Sequence, residues 1–346
     1  YLGYELRHRF EKLDAGNPKL GQWPEALFFT PRIVGTLDLE GNLEIHAPSL
    51  SEARECLERI TQNLAPTESS GSTRLDFQPI ESKEDYLSAI AHLQGHIQRG
   101  DIYEINYCTC FVAPVKDLDK VSLFKRLVAA TDAPFSAFLK LGEHSILCSS
   151  PERYIQKESK AIRSQPIKGT NRRSASNNEV AQRALLESEK ERAENVMIVD
   201  LVRNDLSHVA AKGSVRVSEL FGTYAFKNVN QMISTVEAEL RDELGNWDII
   251  KASFPMGSMT GAPKISAMQL SERYEKSARE IYSGAIGYVD PAGDFDLNVV
   301  IRSIAINDTL EQATLHVGGA ITILSDPEAE YSECLLKAES LINSSR

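Results

Sequence analysis

Pro291-Ala292-Gly293-Asp294 is the stretch that decides the fold class. Proline presets the backbone for a turn and glycine supplies the positive φ that a tight reversal needs, so the tetrapeptide reads as a hairpin connection. It lies in a region, from Leu220 onward, where strand-like runs dominate, broken by helices near residues 247–254 and after Pro263. Strand-rich segments with such turns, interleaved with helices, predict an α+β fold built on large antiparallel sheets. No internal repeat is evident.

Toward the N-terminus, short apolar runs between Gly and Pro turns predict strands around 27–29, 33–39 and 43–46, then a helix over 51–64 with Cys56, Leu57, Ile60 and Leu64 on one side. Residues 65–76, rich in Ser, Thr, Pro and Gly, read as a linker. Ser82 with Asp85 resembles a capping box and opens a helix carrying Tyr86, Ile90, Leu93 and Ile97, which stops at Gly100. Strands are predicted over 102–112, 136–141 and 145–149, one long helix over 178–206, and a last helix over 327–342. The chain divides into a strand-rich N-terminal portion, residues 1–78, and a catalytic domain, residues 82–342. It opens at Tyr1-Leu2-Gly3-Tyr4 with neither an initiator methionine nor a signal-like segment, so its start is read as truncated.

The 346 residues are 42% apolar and 25% charged, as in an ordinary globular enzyme. A net charge of −11 argues against a nucleic-acid or anionic-membrane surface, so an anionic substrate would have to be held by locally placed cations or a metal. No apolar run approaches the ~20 residues of a membrane span. Five scattered cysteines form neither a disulfide framework nor a zinc pattern; Cys108 and Cys110 share one strand face and read as core. A reducing cytoplasm is the expected setting.

Lys168 stands in Gln165-Pro166-Ile167-Lys168-Gly169-Thr170, after a strand-like run over 145–163. Gly169 leaves the backbone open to a ligand and Thr170 offers a hydroxyl and an amide. A lysine there could be a Schiff-base or addition nucleophile if its surroundings keep some of it neutral, or a surface lysine in a turn. Glu152, in Ser150-Pro151-Glu152-Arg153, ends the preceding strand and could protonate a leaving hydroxyl. Glu191 and Glu194 lie three apart on the long helix, as do Glu330 and Glu333 on the last one, with Lys337 a turn beyond. Such carboxylates suit Mg²⁺, although solvated helix faces give the same spacing. Because Val196-Met197-Ile198-Val199 is wholly apolar, that stretch of helix is predicted to be buried, and Glu194 then needs a partner.

The small residues of Gly257-Ser258-Met259-Thr260-Gly261-Ala262-Pro263-Lys264 could cradle an anion before a helix. Gly318-Gly319-Ala320, between strands, could face a ligand with backbone amides. Arg302, among apolar neighbours in a strand over 298–306, suits either a substrate carboxylate or a structural ion pair. His92 and His96, four apart, lack a third ligand and read as an exposed helix face.

Taken together, these motifs resemble the chorismate-utilising enzymes, and most closely the branch that aminates chorismate. The matches are Gly100-Asp101-Ile102-Tyr103-Glu104-Ile105-Asn106, Ser150-Pro151-Glu152-Arg153, Pro166-Ile167-Lys168-Gly169-Thr170, Arg192-Ala193-Glu194-Asn195 with residues 199–205, the segment 257–264, and Ala329-Glu330-Tyr331-Ser332-Glu333, in the family's order over about residues 82–342. The resemblance implies a two-lobed antiparallel β-sandwich with peripheral helices, the anthranilate synthase component I-like fold, with the active site between the lobes. It implies chorismate as substrate and Mg²⁺ as cofactor, with Glu194 and Glu333 as metal ligands supported by Glu191 and Glu330. Tyr282, Arg302, Lys337 and the backbone at Gly318 and Gly319 would hold carboxylates, while Gly169 and Thr170 line the ring site.

In that family the position of Lys168 separates reactions: anthranilate synthases resemble Pro-Ile-Ala-Gly-Thr, and isochorismate- and salicylate-forming members also lack the lysine. The implied route has Lys168 attack C2 of chorismate while Glu152 protonates the departing C4 hydroxyl. Ammonia then adds at C4 and expels the lysine, giving 4-amino-4-deoxychorismate for para-aminobenzoate and folate. With no Gly-x-Cys-x-Gly elbow, glutamine hydrolysis would fall to a separate amidotransferase subunit. Glu104 stands where amidating relatives more often have Gln and water-adding ones have Lys, so isochorismate synthesis is disfavoured and the role of Glu104 is open. Gln231 replaces a family histidine associated with anthranilate formation. Ala320 replaces the last glycine of a Gly-Ala-Gly patch. The alternatives are anthranilate synthesis, or a non-catalytic chorismate-binding or regulatory subunit.

Overall fold

The structure, a computed structural model, describes residues 1–63, 74–174 and 176–345. They form two seven-stranded antiparallel sheets and a separate two-stranded hairpin, Val34–Leu37 with Leu43–His46. The first sheet runs Gly261–Ala262, Glu104–Pro114, Gln312–Ile321, Ser303–Asn307, His144–Ser150, Phe135–Leu141, and Gln78–Pro79 also pairs with Glu104–Pro114. The second runs Arg216–Ala225, Val229–Glu239, Ala161–Gln165, Arg153–Glu158, Phe295–Asn298, Gly287–Val289, and Ile167–Arg172 also pairs with Val229–Glu239. The tetrapeptide 291–294 is the hairpin turn between Gly287–Val289 and Phe295–Asn298, with Gly293 at φ +85°.

Glu104–Pro114 shows how the lobes are joined. Side chains alternate faces along a strand. Ile105, Tyr107, Phe111 and Ala113 therefore face one way, into the core formed with helices Lys83–Arg99, Lys120–Thr131, Lys264–Tyr274 and Pro327–Ser345. Cys108, on the other face, packs into the core of the second sheet, with Tyr154, Ile155, Ile198 and Val236. Glu104 has the parity of Cys108 and is aimed at the second lobe.

Several local expectations hold. Ser82 caps Lys83–Arg99 by accepting from the Asp85 amide, and Gly100 closes that helix at φ +83°. All five cysteines are free, four of them buried. Among the described residues no helix is long and apolar enough to cross a membrane.

Others fail for identifiable reasons. Residues 27–29 are not a strand; the Leu27 amide bonds to the Tyr1 carbonyl, and Leu2 bridges to Ala26 and Ala285, so the first residues of the chain occupy that edge. The long helix is two, Asn178–Glu187 and Glu189–Ser207. Ser188 is extended, and its hydroxyl caps the second helix by accepting from the Glu191 amide. Residues 64–73, covering most of the expected linker 65–76 and the last residue of the expected helix, lie outside the described residues, and beyond them Leu75 and Phe77 are buried. Of the apolar run after Glu194, Ile198 and Val199 are buried but Val196 is 47% exposed, because a helix turns every fourth residue outward.

Candidate active site between the lobes

Lys168 projects from Ile167–Arg172, whose Thr170 pairs with Gln231 and Ile167 with Ile233 across a register shift. Its carbonyl accepts from Asn195 Nδ2 at 3.3 Å, and Asn195 Oδ1 accepts from the Ser234 hydroxyl at 2.6 Å. The lysine backbone is thus tied to the carboxylate-bearing helix and to the neighbouring strand. Its Nζ lies 3.1 Å from Glu104 Oε1 on the opposite lobe, with both side chains nearly sequestered, at 12% and 2% exposure. This contact gives Glu104, whose role the sequence left open, a partner across the cleft. Glu104 Oε2 is buried without a hydrogen-bond partner among the described residues, as is Gln231 Oε1.

Burial alone would favour the neutral amine, but Glu104, then Glu194 and Glu152, outweigh it and hold Lys168 above the ordinary lysine value. The resting lysine is an ammonium. Glu152 is fully buried beyond the end of His144–Ser150, and burial pushes its carboxyl up to about 7 against hydrogen bonds from the Ser258 hydroxyl and Ile167 amide and the charge of Lys168. A carboxyl poised there can be a proton donor near neutral pH. Ser258 was not singled out as a residue by its motif. In the same segment, which could cradle an anion, Gly261–Ala262 pairs with Ile105 and Glu104, and Lys264 binds Asp205 at 2.6 Å.

Glu191 and Glu194 lie in the first turns of Glu189–Ser207. Burial first, then neighbouring carboxylates, raise both, Glu194 to about 7, against the charges of Lys168 and Lys190. From the last helix, Glu333 is within electrostatic reach of Glu191. Burial pushes Glu333 up, but the hydrogen bond and charge of Lys337, 2.8 Å away, leave it below its ordinary value. Glu330 is buried and Glu333 exposed. A Cβ on Gly319 would lie 3.2 Å from Glu330 Oε2 and 4.0 Å from Lys337 Nζ. Lys337 also donates to the Gly318 carbonyl at 2.9 Å.

Among the described residues no three acidic, histidine or cysteine groups form a ready-made metal cage. The donor set nevertheless fits Mg²⁺, which takes one or two carboxylates and leaves the remaining positions to water and substrate oxygens. Carboxylates from two helices, some raised by burial and mutual repulsion, are what a hard divalent cation relieves.

Arg302 adopts φ +52°, its carbonyl accepts from the Ser149 amide at 3.1 Å, and among the described residues its guanidinium has no ion pair, while Tyr282 and Glu333 lie within its electrostatic reach. Tyr282 is buried and stacked on His316, ring centroids 5.3 Å apart. Gly169, at φ +98°, abuts Glu191 and Met232. Thr170 is exposed at the cleft edge. Pairwise electrostatic reach links Glu152 and Lys168 to Glu194 and Glu191, Glu191 to Glu333, and Glu333 to Lys337, Arg302 and through it Tyr282.

Residues 1–343 match the family model described as chorismate binding enzyme. The chain is 37% identical over 350 residues to aminodeoxychorismate synthase component 1 of Escherichia coli (strain K12), covering 99% of this chain and 75% of that protein. It is 40% identical over 278 residues to the probable chloroplastic aminodeoxychorismate synthase of Oryza sativa subsp. japonica, covering 79% of this chain but only 31% of that one. Among solved structures, anthranilate synthase component I from Streptococcus pneumoniae TIGR4 superposes with a TM-score of 0.89 at 26% identity, covering 99% of this chain and 79% of that one. The menaquinone-specific isochorismate synthase MenF from Escherichia coli shares the fold, with a TM-score of 0.69 at 21% identity, covering 86% of this chain and 69% of that one.

Proposed function

The chain belongs to the chorismate-binding enzyme family, and within it we propose that it is an aminodeoxychorismate synthase component 1, converting chorismate and ammonia to 4-amino-4-deoxychorismate. The observation that carries this reading is Lys168, held inside the cleft beside Glu104 and within electrostatic reach of a buried, protonatable Glu152.

Lys168 attacks C2 of the ring, both conjugated ring double bonds shift, and Glu152 gives its proton to the C4 hydroxyl, which departs as water. Ammonia adds at C4, the shift reverses, the lysine is expelled, and the surplus proton on the new amine returns to Glu152. Two allylic steps thereby replace one direct displacement. Arg302, Tyr282, Lys337 and the backbone at Gly318 and Gly319 take the substrate carboxylates, with Gly169 and Thr170 along the ring. Glu194 and Glu333 hold Mg²⁺, supported by Glu191 and Glu330. Bound there, the ion offsets the charge of a substrate carboxylate.

Ammonia comes from a glutamine amidotransferase subunit, and the product feeds para-aminobenzoate and folate synthesis in the cytoplasm. Incubation with chorismate, MgCl₂ and ammonium chloride tests the assignment: 4-amino-4-deoxychorismate is the expected product, and accumulation of fluorescent anthranilate would overturn it. Saturable chorismate binding without turnover at high ammonium would point instead to a non-catalytic subunit.

A further inference from the structure

As an ammonium Lys168 has no lone pair for attack on carbon, so its proton must leave first. Its side chain is 12% exposed, which limits direct transfer to bulk water. Among the described residues Glu104, Glu152, Glu194 and Glu191 lie within its electrostatic reach. Glu333, on the last helix, also feels its charge.

Of these carboxyls, only Glu104 is seen within hydrogen-bond distance of Nζ among the described residues. Glu152 is bonded by Ser258 and Ile167 and is needed in its acid form. Glu191 and Glu194 belong to the cation-binding set. Glu104 is fixed at the start of a strand paired on both sides, opposite Ala262. Its Oε2 is buried, bears no hydrogen bond among the described residues, and can take up a new contact without breaking an old one.

We propose that Glu104 is the base that takes the proton of Lys168 before attack and returns it when the lysine is expelled. The inference rests on the chorismate-aminating reading above. A proton passes from Nζ to Oε1 along the existing 3.1 Å contact, and the freed lone pair forms the bond to C2. After ammonia has displaced the lysine, the amine recovers that proton from Glu104. Glu152 keeps a separate account with the departing hydroxyl and the incoming ammonia, so the two carboxyls end the cycle as they began.

The test is single-turnover adduct formation, followed by intact mass after mixing the protein with chorismate and MgCl₂ without ammonium, for wild type, Glu104→Gln and Glu104→Asp. With Glu104 as base, Glu104→Gln binds chorismate within a few-fold of wild type. It forms the adduct about 10²- to 10⁴-fold more slowly near neutral pH, the range of a lost general base. Its rate climbs with pH as hydroxide takes over, while the wild-type rate does not. If the carboxylate merely holds the lysine charged, its removal frees the amine, and a Glu104→Gln rate at or above wild type overturns the proposal. Glu104→Asp covers the case in which Glu104→Gln does not fold. Withdrawing the carboxylate by one carbon should slow adduct formation at unchanged chorismate affinity, and an unchanged rate overturns the proposal. Wild type that aminates chorismate without any adduct removes the base but leaves the function. Wild type that neither aminates nor forms an adduct removes both.

Discussion

Lys168 and Glu104 are 64 residues apart in the chain and meet at 3.1 Å across the two lobes, one on each sheet. The pair crosses the cleft, so it couples the lobes as well as setting the charge of the lysine. Truncating one member of a buried ion pair strands the other charge and typically costs about 3–5 kcal/mol. Lys168→Met should lose stability of that order in urea denaturation. Lys168→Met combined with Glu104→Gln should recover most of it, because no charge is left unpaired. Additive losses in the double variant would refute the coupling.

The proposed nucleophile has its own chemical test. Wild type mixed with chorismate and MgCl₂ without ammonium should gain mass, and Lys168→Ala should not. Amination by Lys168→Ala at the wild-type rate would remove the lysine from the chemistry.

Glu152 makes stability depend on pH in a defined direction. Its carboxyl rises from an ordinary 4.5 to about 7 in the folded chain. For an acid raised in this way, stability is fully present below the unfolded value and falls as pH rises toward the folded one. The loss reaches about 3 kcal/mol above neutral pH. Glu152→Gln cannot ionise, so its stability relative to wild type should increase between about pH 4.5 and 7 and then level off. A pH-independent difference in urea midpoints would contradict the burial effect. The same variant should lose about 10²- to 10⁴-fold in turnover, the range for a missing proton donor.

Much of this was legible from local chemistry. The cap at Ser82, the stop at Gly100 and the turn at 291–294 are decided by their own side chains. Lys168 and Glu152 were legible as candidates because a glycine and a strand end flank them. What could not be read from spacing was contact between distant segments. The strand parity that aims Glu104 at the cleft matters only once Ile167–Arg172 is seen on the facing lobe. The break at Ser188 was hidden because both halves continue helical propensity, and an internal serine looks the same as a cap until its φ and ψ are known. Residues 27–29 are apolar enough for a strand, but the chain start takes the pairing they would have needed.

Gly169 and Gly318 should resist substitution for different reasons. At Gly169 the backbone has φ +98°, and a Cβ would sit 3.1 Å from Glu191 Oε2 and 3.2 Å from Met232 Cβ. Gly169→Ala should therefore cost about 1–3 kcal/mol in backbone strain and displace Glu191. At Gly318 the φ is ordinary, but a Cβ would meet Tyr107 O and Cys108 Sγ at 2.7 Å each, in the centre of a sheet. Gly318→Ala should lower stability by about 1–3 kcal/mol through overpacking. Mg²⁺-dependent stabilisation should fall in the first variant and persist in the second, as read by thermal unfolding with and without MgCl₂.

Glu194 gives the last prediction, on the metal. Burial and neighbouring carboxylates hold it up to about 7, and Glu191 is raised for related reasons. A divalent cation competes with protons for these groups, so Mg²⁺ should raise the unfolding temperature more near pH 8 than near pH 5.5. At a free concentration 100 times its dissociation constant the gain is about 2.7 kcal/mol. Glu194→Ala should abolish the Mg²⁺ effect and leave the apoprotein as stable as wild type or more so near pH 8, because a raised carboxyl has been removed. EDTA should eliminate amination by wild type, and added MgCl₂ should restore it. An equal Mg²⁺ response in wild type and Glu194→Ala would place the ion elsewhere.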